Sequence, residues 1–303
     1  MRSIGHVPLR RGISSRLIND LTIIVVASPI PSHPSCEIIE ETISSLSFLG
    51  NPNQIPIILA HDAPHPRSAS SDRASYAEYL TRLEAKYGSD ESISISVGKT
   101  WGHLIGNITE ALRHVHTRYV LIVQHDLPFV RSVDLDSVLD VMNSYEQVKH
   151  VRFNKRSNIA VGYDGLTPVD AAFFEEERFL AANSTKSLSL VRTSAWSDNN
   201  HVCRKDYYGQ VVQPIVGGMR LPPESINFLN SPLTHGYFGT YIYGPISGEA
   251  VIRHLDGRMS GKAAEPRDQR WRAGVRWVQN TCRLRTRIRQ CYMRRRFARL
   301  IDG

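Results

Sequence analysis

The sequence lacks the short motifs that mark several common enzyme classes. It has no Gly-x-x-x-x-Gly-Lys-Ser/Thr phosphate loop and no Gly-x-Ser-x-Gly, and 102–106 holds too few glycines for a dinucleotide fingerprint. Its four cysteines form no Cys-x-x-Cys pair, which argues against a zinc site or a disulfide framework and suits a reducing compartment. We therefore expect neither a P-loop nucleotidase nor a serine hydrolase.

Long apolar runs are also missing. No run reaches the ~18 apolar residues of a transmembrane helix. The N-terminus holds no apolar core of the kind found in a secretory signal, so we expect a cytoplasmic protein. The 303 residues are 41% hydrophobic and 22% charged, which is enough to build a sizeable core.

The net charge of +8 is distributed very unevenly along the chain. Residues 267–299 contain 12 arginines and one acid and carry +11, and residues 1–19 carry +4. The body between them, 20–266, carries −6. A body of this sign does not suit a nucleic-acid groove, so only the tail could bind an anionic partner.

Hydrophobic patterning in the first half alternates between strands and helices, and this predicts an α/β fold with a mostly parallel sheet flanked by helices. The predicted strands are 21–27, 55–60, 93–97 and 119–123, and the predicted helices are 37–49, 76–87 and 104–116. After Val130 the pattern is less regular. There we predict strands at 150–154, 237–243 and 250–254 and a helix at 175–182.

Polar residues follow each predicted strand of the first half: Ser28, Asp62, Lys99 and Asp126. Because ligands bind at the carboxyl ends of parallel strands, we expect an active site there. A carboxylate such as Asp126 can bind a hard divalent cation that in turn holds a diphosphate. The alternative is a carboxylate that caps the following turn.

These strand ends resemble those of GT-A glycosyltransferases, family 2-like enzymes that use nucleotide sugars and have one parallel-sheet domain. The resemblance covers about 20–130 and continues more weakly through Arg258. It implies that Ser28 and Pro29 border the nucleotide and that Asp62 contacts its base. It also implies that the loop from Lys99 to Asn107 lies beside the ribose and the diphosphate.

The family's metal-binding Asp-x-Asp motif is altered here. The corresponding residues are Gln124-His125-Asp126, so Gln124 replaces the first acid and Asp126 keeps the last. The resemblance implies a Mn²⁺ or Mg²⁺ ion held by Asp126 and by His254 from a late strand. Arg258 would then neutralise diphosphate charge. The alternatives are a half-buried histidine and a surface arginine.

The acceptor side offers the segment Trp196-Ser-Asp-Asn-Asn-His201. An inverting transfer needs a base, and Asp198 is the candidate. Trp196 would stack on the acceptor sugar, and His201 would hydrogen-bond a substrate. The alternative is that Asp198 caps a helix and that Trp196 belongs to the core.

The sequence thus predicts a hexosyl- or pentosyltransferase that moves a sugar from a nucleotide donor to a hydroxyl of a glycan, lipid or protein. We divide the chain into a basic leader (1–19), a nucleotide-sugar-binding half (20–130), an acceptor-side half of the same domain (131–266) and an arginine-rich tail (267–303). The tail could contact an anionic membrane, bind nucleic acid or pack as a solvated helix.

Two alternative functions remain open at this point. A nucleic-acid-binding protein would depend on the arginine-rich tail. A sugar-phosphate nucleotidylyltransferase would share the α/β architecture, but the loop 28–34 lacks the glycines that such an enzyme carries after its first strand.

Overall fold

A computed structural model describes residues 20–50, 55–158, 163–164, 167–168, 174–181, 187–216, 226–227 and 229–255. The predicted leader, the arginine-rich tail and Arg258 lie outside these residues. None of the described helices combines the length and the apolar composition that crossing a bilayer requires.

The strands are β1 Leu21–Ala27, β2 Ile57–His61, β3 Ile93–Val97, β4 Tyr119–Gln124, β5 His150–Arg152, β6 Tyr163–Asp164, β7 Thr167–Pro168, β8 Glu175–Leu180, β9 Ser187–Arg192, β10 His201–Arg204 and β11 Thr240–Tyr243. The α-helices are α1 Glu37–Ser45, α2 Ser70–Tyr87, α3 His103–Leu112, α4 Leu135–Ser144, α5 Gln213–Val216 and α6 His235–Phe238.

Nine strands form one sheet in the order β3-β2-β1-β4-β10-β5-β11-β9-β8. β1 pairs in parallel with both β2 and β4, and β2 pairs in parallel with β3. Within this sheet, only β9 and β10 run opposite to β1. The sheet therefore draws on both halves of the chain, and the predicted α/β class with a mostly parallel sheet is confirmed.

The central strands are buried on both faces. Every residue of β1 is buried, because alternate side chains enter two separate clusters. Ile23 and Val25 pack in the cluster that holds the buried faces of α1, α2 and α4. Ile24 and Val26 pack in the cluster that holds α3 and the helical segment 208–216. The result is a sheet between two helical layers, and active-site residues can lie at the ends of its strands.

The second half departs from the sequence predictions in three places. The helix predicted at 175–182 is wrong, because this stretch is the edge strand β8. Its glutamates favour a helix locally, but β8 pairs with β9 along its whole length, and Arg192 forms ion pairs with Glu175 and Glu177. The strand predicted at 237–243 begins inside α6 and is confirmed only from Thr240. The segment 250–254 makes one isolated bridge, between Phe129 and Ile252, instead of a full strand.

Candidate active site at the carboxyl edge of the sheet

The strand order reverses between β1 and β4, because β2 and β3 lie on one side of β1 and the later strands lie beyond β4. In open α/β sheets, such a reversal opens a crevice at the carboxyl ends of the two strands. Exposed Ser28 and half-buried Pro29 follow β1 at this crevice. Gln124 ends β4, and the next turn carries Asp126. The predicted donor and metal residues therefore share one edge of the sheet.

Asp126 has one carboxylate oxygen without a partner. Its Oδ1 is buried and makes no hydrogen bond to any described residue. Its Oδ2 lies 3.3 Å from Nε2 of His254, whose side chain is 46% exposed. A buried carboxylate oxygen without a donor is costly, and a bound cation would satisfy it.

The segment that carries His254 is held against the turn after β4 by backbone hydrogen bonds. Leu255 donates its N–H to the carbonyl of Asp126 at 2.7 Å, and Arg253 donates to the carbonyl of Pro128 at 3.1 Å. These bonds bring His254 beside Asp126, although the two residues are 128 positions apart in the chain. The structure thus places His254 beside Asp126, and their role as joint metal ligands stays a prediction.

Asp198 reaches the same edge because β10 is antiparallel to β4, so that the residues before β10 lie beside the end of β4. Gln124 donates from Nε2 to the backbone carbonyl of Asp198 at 2.7 Å. Burial raises the pKa of the Asp198 carboxyl, and the charge of Asp126 raises it further, whereas Lys155 lowers it. The two carboxylates therefore influence each other electrostatically.

Asn200 also lies at this edge, and no sequence pattern predicts it as a site residue. It is fully buried, and its Oδ1 accepts the N–H of Gln124 at 2.9 Å while its Nδ2 donates to the carbonyl of Leu127 at 2.7 Å. Its own carbonyl accepts the N–H of Phe153 at 2.7 Å. Asn200 therefore holds both ends of the turn that carries Asp126. No local pattern distinguishes it from Asn199, since only the register of β10 assigns this role.

Asp62 lies at the end of β2 and is almost completely buried. Its Oδ1 accepts the N–H of Gly102 at 2.8 Å, which joins the loop after β2 to the loop after β3. A Cβ at position 102 would approach the backbone of Gly106 to 3.2 Å, a tight contact that glycine avoids. One carboxylate oxygen of Asp62 is thereby committed to the fold.

Lys99 and Asn107 occupy different environments. Lys99 is exposed on the loop after β3, where a donor could reach it. Asn107 is buried, and its Nδ2 donates to the carbonyls of Ala27 and Ala60 at 3.3 and 2.9 Å. Both amide hydrogens of Asn107 therefore tie the ends of β1 and β2 together, and the predicted contact between this amide and the donor has no support here.

The predicted acceptor contacts of Trp196 and His201 do not fit their positions. Trp196 is 1% exposed and His201 is fully buried. The ring of His201 is hydrogen-bonded on both sides, to the carbonyl of Asn199 at 2.7 Å and to the hydroxyl of Tyr208 at 2.9 Å. The physical reason is that β10 lies inside the sheet and the helical segment 208–216 covers this face, so Trp196 packs in the same cluster as that segment and His201 bonds to its first residue. The alternative of a core tryptophan is the correct one.

Two further histidines are buried behind this edge. Tyr79 donates its hydroxyl to Nε2 of His61 at 3.1 Å, and Nδ1 of His61 donates to the carbonyl of Leu59 at 3.1 Å. His33 stacks on Tyr79 with ring centroids 4.0 Å apart. Burial lowers the pKa of both imidazoles to about 4. Both are therefore neutral near pH 7 and support the site by packing.

Asp126 and His254 fit a divalent cation as a two-ligand site. Mg²⁺ is commonly held by one or two carboxylates together with substrate phosphates, and Mn²⁺ also accepts carboxylate ligands. Among the described residues, no group of three or more His, Cys, Asp or Glu side chains converges as a metal site. The remaining ligands would therefore have to come from the substrate and from water.

No protein-family model matches the sequence, and no curated protein matches it. The fold is similar to that of TarS from S. aureus, with a TM-score of 0.45 and 13% identity over 78% of this chain and 36% of that chain. It is also similar to PcManGT, a mannosyltransferase from Pyrobaculum calidifontis solved with GDP-Man and Mn²⁺, with a TM-score of 0.42 and 11% identity over 75% of this chain and 55% of that chain.

A third similar structure is GalNAc-T7 with UDP, GalNAc and Mn²⁺, with a TM-score of 0.46 and 8% identity over 80% of this chain and 45% of that chain. The chain thus spans roughly a third to a half of the length of these three proteins. PcManGT belongs to the class of enzyme that the sequence resembles. At these TM-scores the similarity is one of overall shape, and the residues at the carboxyl edge carry the functional interpretation.

Proposed function

We propose that this protein is a glycosyltransferase that moves a sugar from a nucleotide donor to a hydroxyl acceptor, with a divalent cation at Asp126. The observation that carries the proposal is the unsatisfied Oδ1 of Asp126, with His254 beside Oδ2 and Asp198 within electrostatic reach. Asp126 offers a carboxylate that can bind a cation, and Asp198 offers a second carboxylate nearby, at the edge where the strand order reverses. This arrangement suits a reaction in which a diphosphate leaves while a hydroxyl loses its proton.

On the donor side, Ser28 and Pro29 would border the nucleotide, and Lys99 would help to hold it. Asp126 and His254 would hold Mn²⁺ or Mg²⁺. When bound, such an ion stabilises the negative charge that develops on a leaving diphosphate. Arg258 lies outside the described residues, and its role toward the diphosphate stays a prediction.

On the acceptor side, Asp198 would act as general base in an inverting transfer. The acceptor oxygen forms a bond to the anomeric carbon while the bond from that carbon to the diphosphate oxygen breaks. The hydroxyl proton passes to the Asp198 carboxylate, and the bonding electrons leave with the nucleoside diphosphate. Because burial raises the pKa of Asp198, this carboxylate is a stronger base than an exposed aspartate.

The test combines binding and turnover in the purified protein. Nucleoside diphosphates should raise the melting temperature only when Mn²⁺ or Mg²⁺ is present, because a ligand that binds the folded state stabilises it. A panel of UDP- and GDP-sugars should be hydrolysed slowly with release of the nucleoside diphosphate. Asp126→Asn should abolish both effects and leave the fold intact, since Asp126 is a turn residue outside the core.

Asp136→Asn is the matched control, because it removes an exposed carboxylate from the first turn of α4. It should behave like the wild-type protein. Wild-type turnover from Asp126→Asn would remove Asp126 from the site. Release of inorganic diphosphate from a nucleoside triphosphate and a sugar phosphate would instead favour the nucleotidylyltransferase alternative.

A further inference from the structure

An exposed aromatic cluster lies beside Asp62 and has no role in the function proposed above. It consists of His65, Trp101 and His103. Trp101 is 40% exposed. Its indole meets the ring of His65 at a centroid distance of 4.6 Å and an angle of 79°, and the ring of His103 at 5.6 Å and 81°. Both contacts have the edge-to-face geometry that aromatic pairs favour, so the two imidazoles brace the indole in one orientation.

Backbone contacts fix this cluster against the end of β2. Gly102, the neighbour of Trp101, donates its N–H to Oδ1 of Asp62 at 2.8 Å. His65 follows Asp62 by three residues in the same loop. His103 adopts a φ of +58°, a left-handed conformation that is uncommon for a residue with a side chain. The cluster is thus built from two loops that the Asp62 carboxylate joins.

The spacing between the strands that carry this cluster and the cation site suits the length of a nucleotide. The cluster lies at the ends of β2 and β3, whereas Asp126 follows β4, and the strand order is β3-β2-β1-β4. Three strand spacings of about 4.8 Å separate β3 from β4, which gives about 14 Å. An extended nucleoside diphosphate bridges a gap of this order when its diphosphate lies at Asp126 and its base at Trp101.

We propose that Trp101, braced by His65 and His103, is the surface on which the nucleobase of the donor stacks. This proposal rests on the glycosyltransferase function proposed above and adds a binding residue to it. Every base offers a π-face, so the stacking tolerates different bases. Asp62 would then select the base, because its Oδ1 accepts the N–H of Gly102 and its Oδ2 accepts no hydrogen bond from the residues that the structure describes.

The experiment measures the affinity of the full chain for UDP, GDP, ADP and inorganic diphosphate by calorimetry, each with Mn²⁺. Loss of base stacking should weaken the binding of the preferred nucleotide about 10- to 100-fold in Trp101→Ala, whereas Trp101→Phe should keep part of the affinity. The affinity for inorganic diphosphate should stay unchanged, because diphosphate has no base. In the wild-type protein, nucleotide binding should also quench the indole fluorescence of Trp101.

Phe48→Ala is the matched control, since Phe48 is also 40% exposed and lies on the short helical turn after α1. It should change neither affinity. Wild-type nucleotide affinity in Trp101→Ala would overturn the stacking proposal and leave the glycosyltransferase function standing. Equal losses for diphosphate and nucleotide would also overturn it, because the variant would then act through the loop structure. If the wild-type protein binds none of the three nucleotides, both proposals fail.

Discussion

The side-chain amide of Gln124 donates to the backbone carbonyl of Asp198 at 2.7 Å. This contact gives a physical reason for the altered Asp-x-Asp motif. A carboxylate at position 124 could only accept hydrogen bonds, so it would leave that carbonyl without its donor. It would also add a negative charge beside Asp126 and Asp198, whose carboxylates already oppose each other. Gln124 thus holds the proposed base instead of binding the cation.

Gln124→Glu tests this contact with an isosteric change. The variant loses the donor to Asp198 and gains a charge, and both changes should raise the pKa of the Asp198 carboxyl further. We expect a fall in kcat of about tenfold or more and a shift of the acidic limb of the pH–rate profile to higher pH. The measurement is kcat against pH for the wild type and the variant. A profile with an unmoved acidic limb would contradict the coupling.

Asp198→Asn should separate catalysis from stability. The amide cannot accept the acceptor proton, so kcat should fall at least ~100-fold with little change in the donor Kd. The folded state raises the pKa of Asp198, so at neutral pH the native protein holds a carboxylate that is less stable than in the unfolded chain. The variant should therefore melt at a higher temperature at pH 7.

This gain in melting temperature should disappear as the pH falls below ~3.9, the ordinary pKa of aspartate, because both states then bind the proton. Calorimetric melting between pH 3.5 and pH 8 measures the effect. A variant that is less stable and nearly fully active would identify Asp198 as a structural cap, in which case the base lies elsewhere or the transfer is retaining.

Asn200→Ala should loosen the turn that carries Asp126. The change leaves the N–H of Gln124 and the carbonyl of Leu127 without their buried partner, at about 1–3 kcal/mol for each group. We expect a lower melting temperature together with a weaker Mn²⁺ affinity, which electron paramagnetic resonance of free Mn²⁺ measures directly.

Asn230→Ala is the control for that experiment. Asn230 is also buried, but it donates to Thr240 at the first residue of β11, at the opposite edge of the sheet. This variant should lose stability and keep the wild-type Mn²⁺ affinity. If both variants weaken Mn²⁺ binding equally, Asn200 contributes only to general stability.

The buried histidines should make the fold sensitive to acid. Burial lowers the pKa of His33, His61, His201 and His235 to about 4, whereas an unfolded histidine titrates near ~6.5. Below pH 6.5 these histidines bind protons in the unfolded chain but not in the native state. The free energy of unfolding should therefore fall between pH 6.5 and pH 4.

His61→Gln should flatten this pH dependence, because it removes one of the titrating groups and keeps a donor and an acceptor for its partners. Denaturant unfolding at several pH values measures the slope. An unchanged slope in the variant would show that the His61 imidazole is protonated equally in both states.

The arginine-rich tail should bind anionic membranes through its segment 267–299, which carries a charge of +11. Association with vesicles of anionic lipid should weaken as salt rises, since the Debye length is only ~10 Å at 0.1 M and shrinks further. Co-sedimentation with anionic and neutral vesicles tests this directly, and equal binding to both would contradict it. Tighter binding to duplex DNA than to vesicles would favour the nucleic-acid alternative.

The sequence by itself determined the first half of the fold, because each element there is specified locally. β1 and β4 are continuous apolar runs, and a strand buried on both faces requires such a run. The polar residues that end these strands lie at one edge as predicted, since parallel strands align their carboxyl ends. The positions of Asp62 and Asp126 at this edge could be predicted for this reason.

Only the tertiary structure decided which residues of the second half join them. The register of β10 brings Asp198 and Asn200 to the end of β4 and buries Trp196 and His201, although all four lie within six residues of sequence. Edge pairing made β8 a strand despite its helix-favouring glutamates. Contacts between residues about 75 positions apart, such as that between Asn200 and Gln124, depend on strand pairing that no local pattern encodes. Such pairing forms because the free energy of burial and pairing outweighs the local preference of each segment.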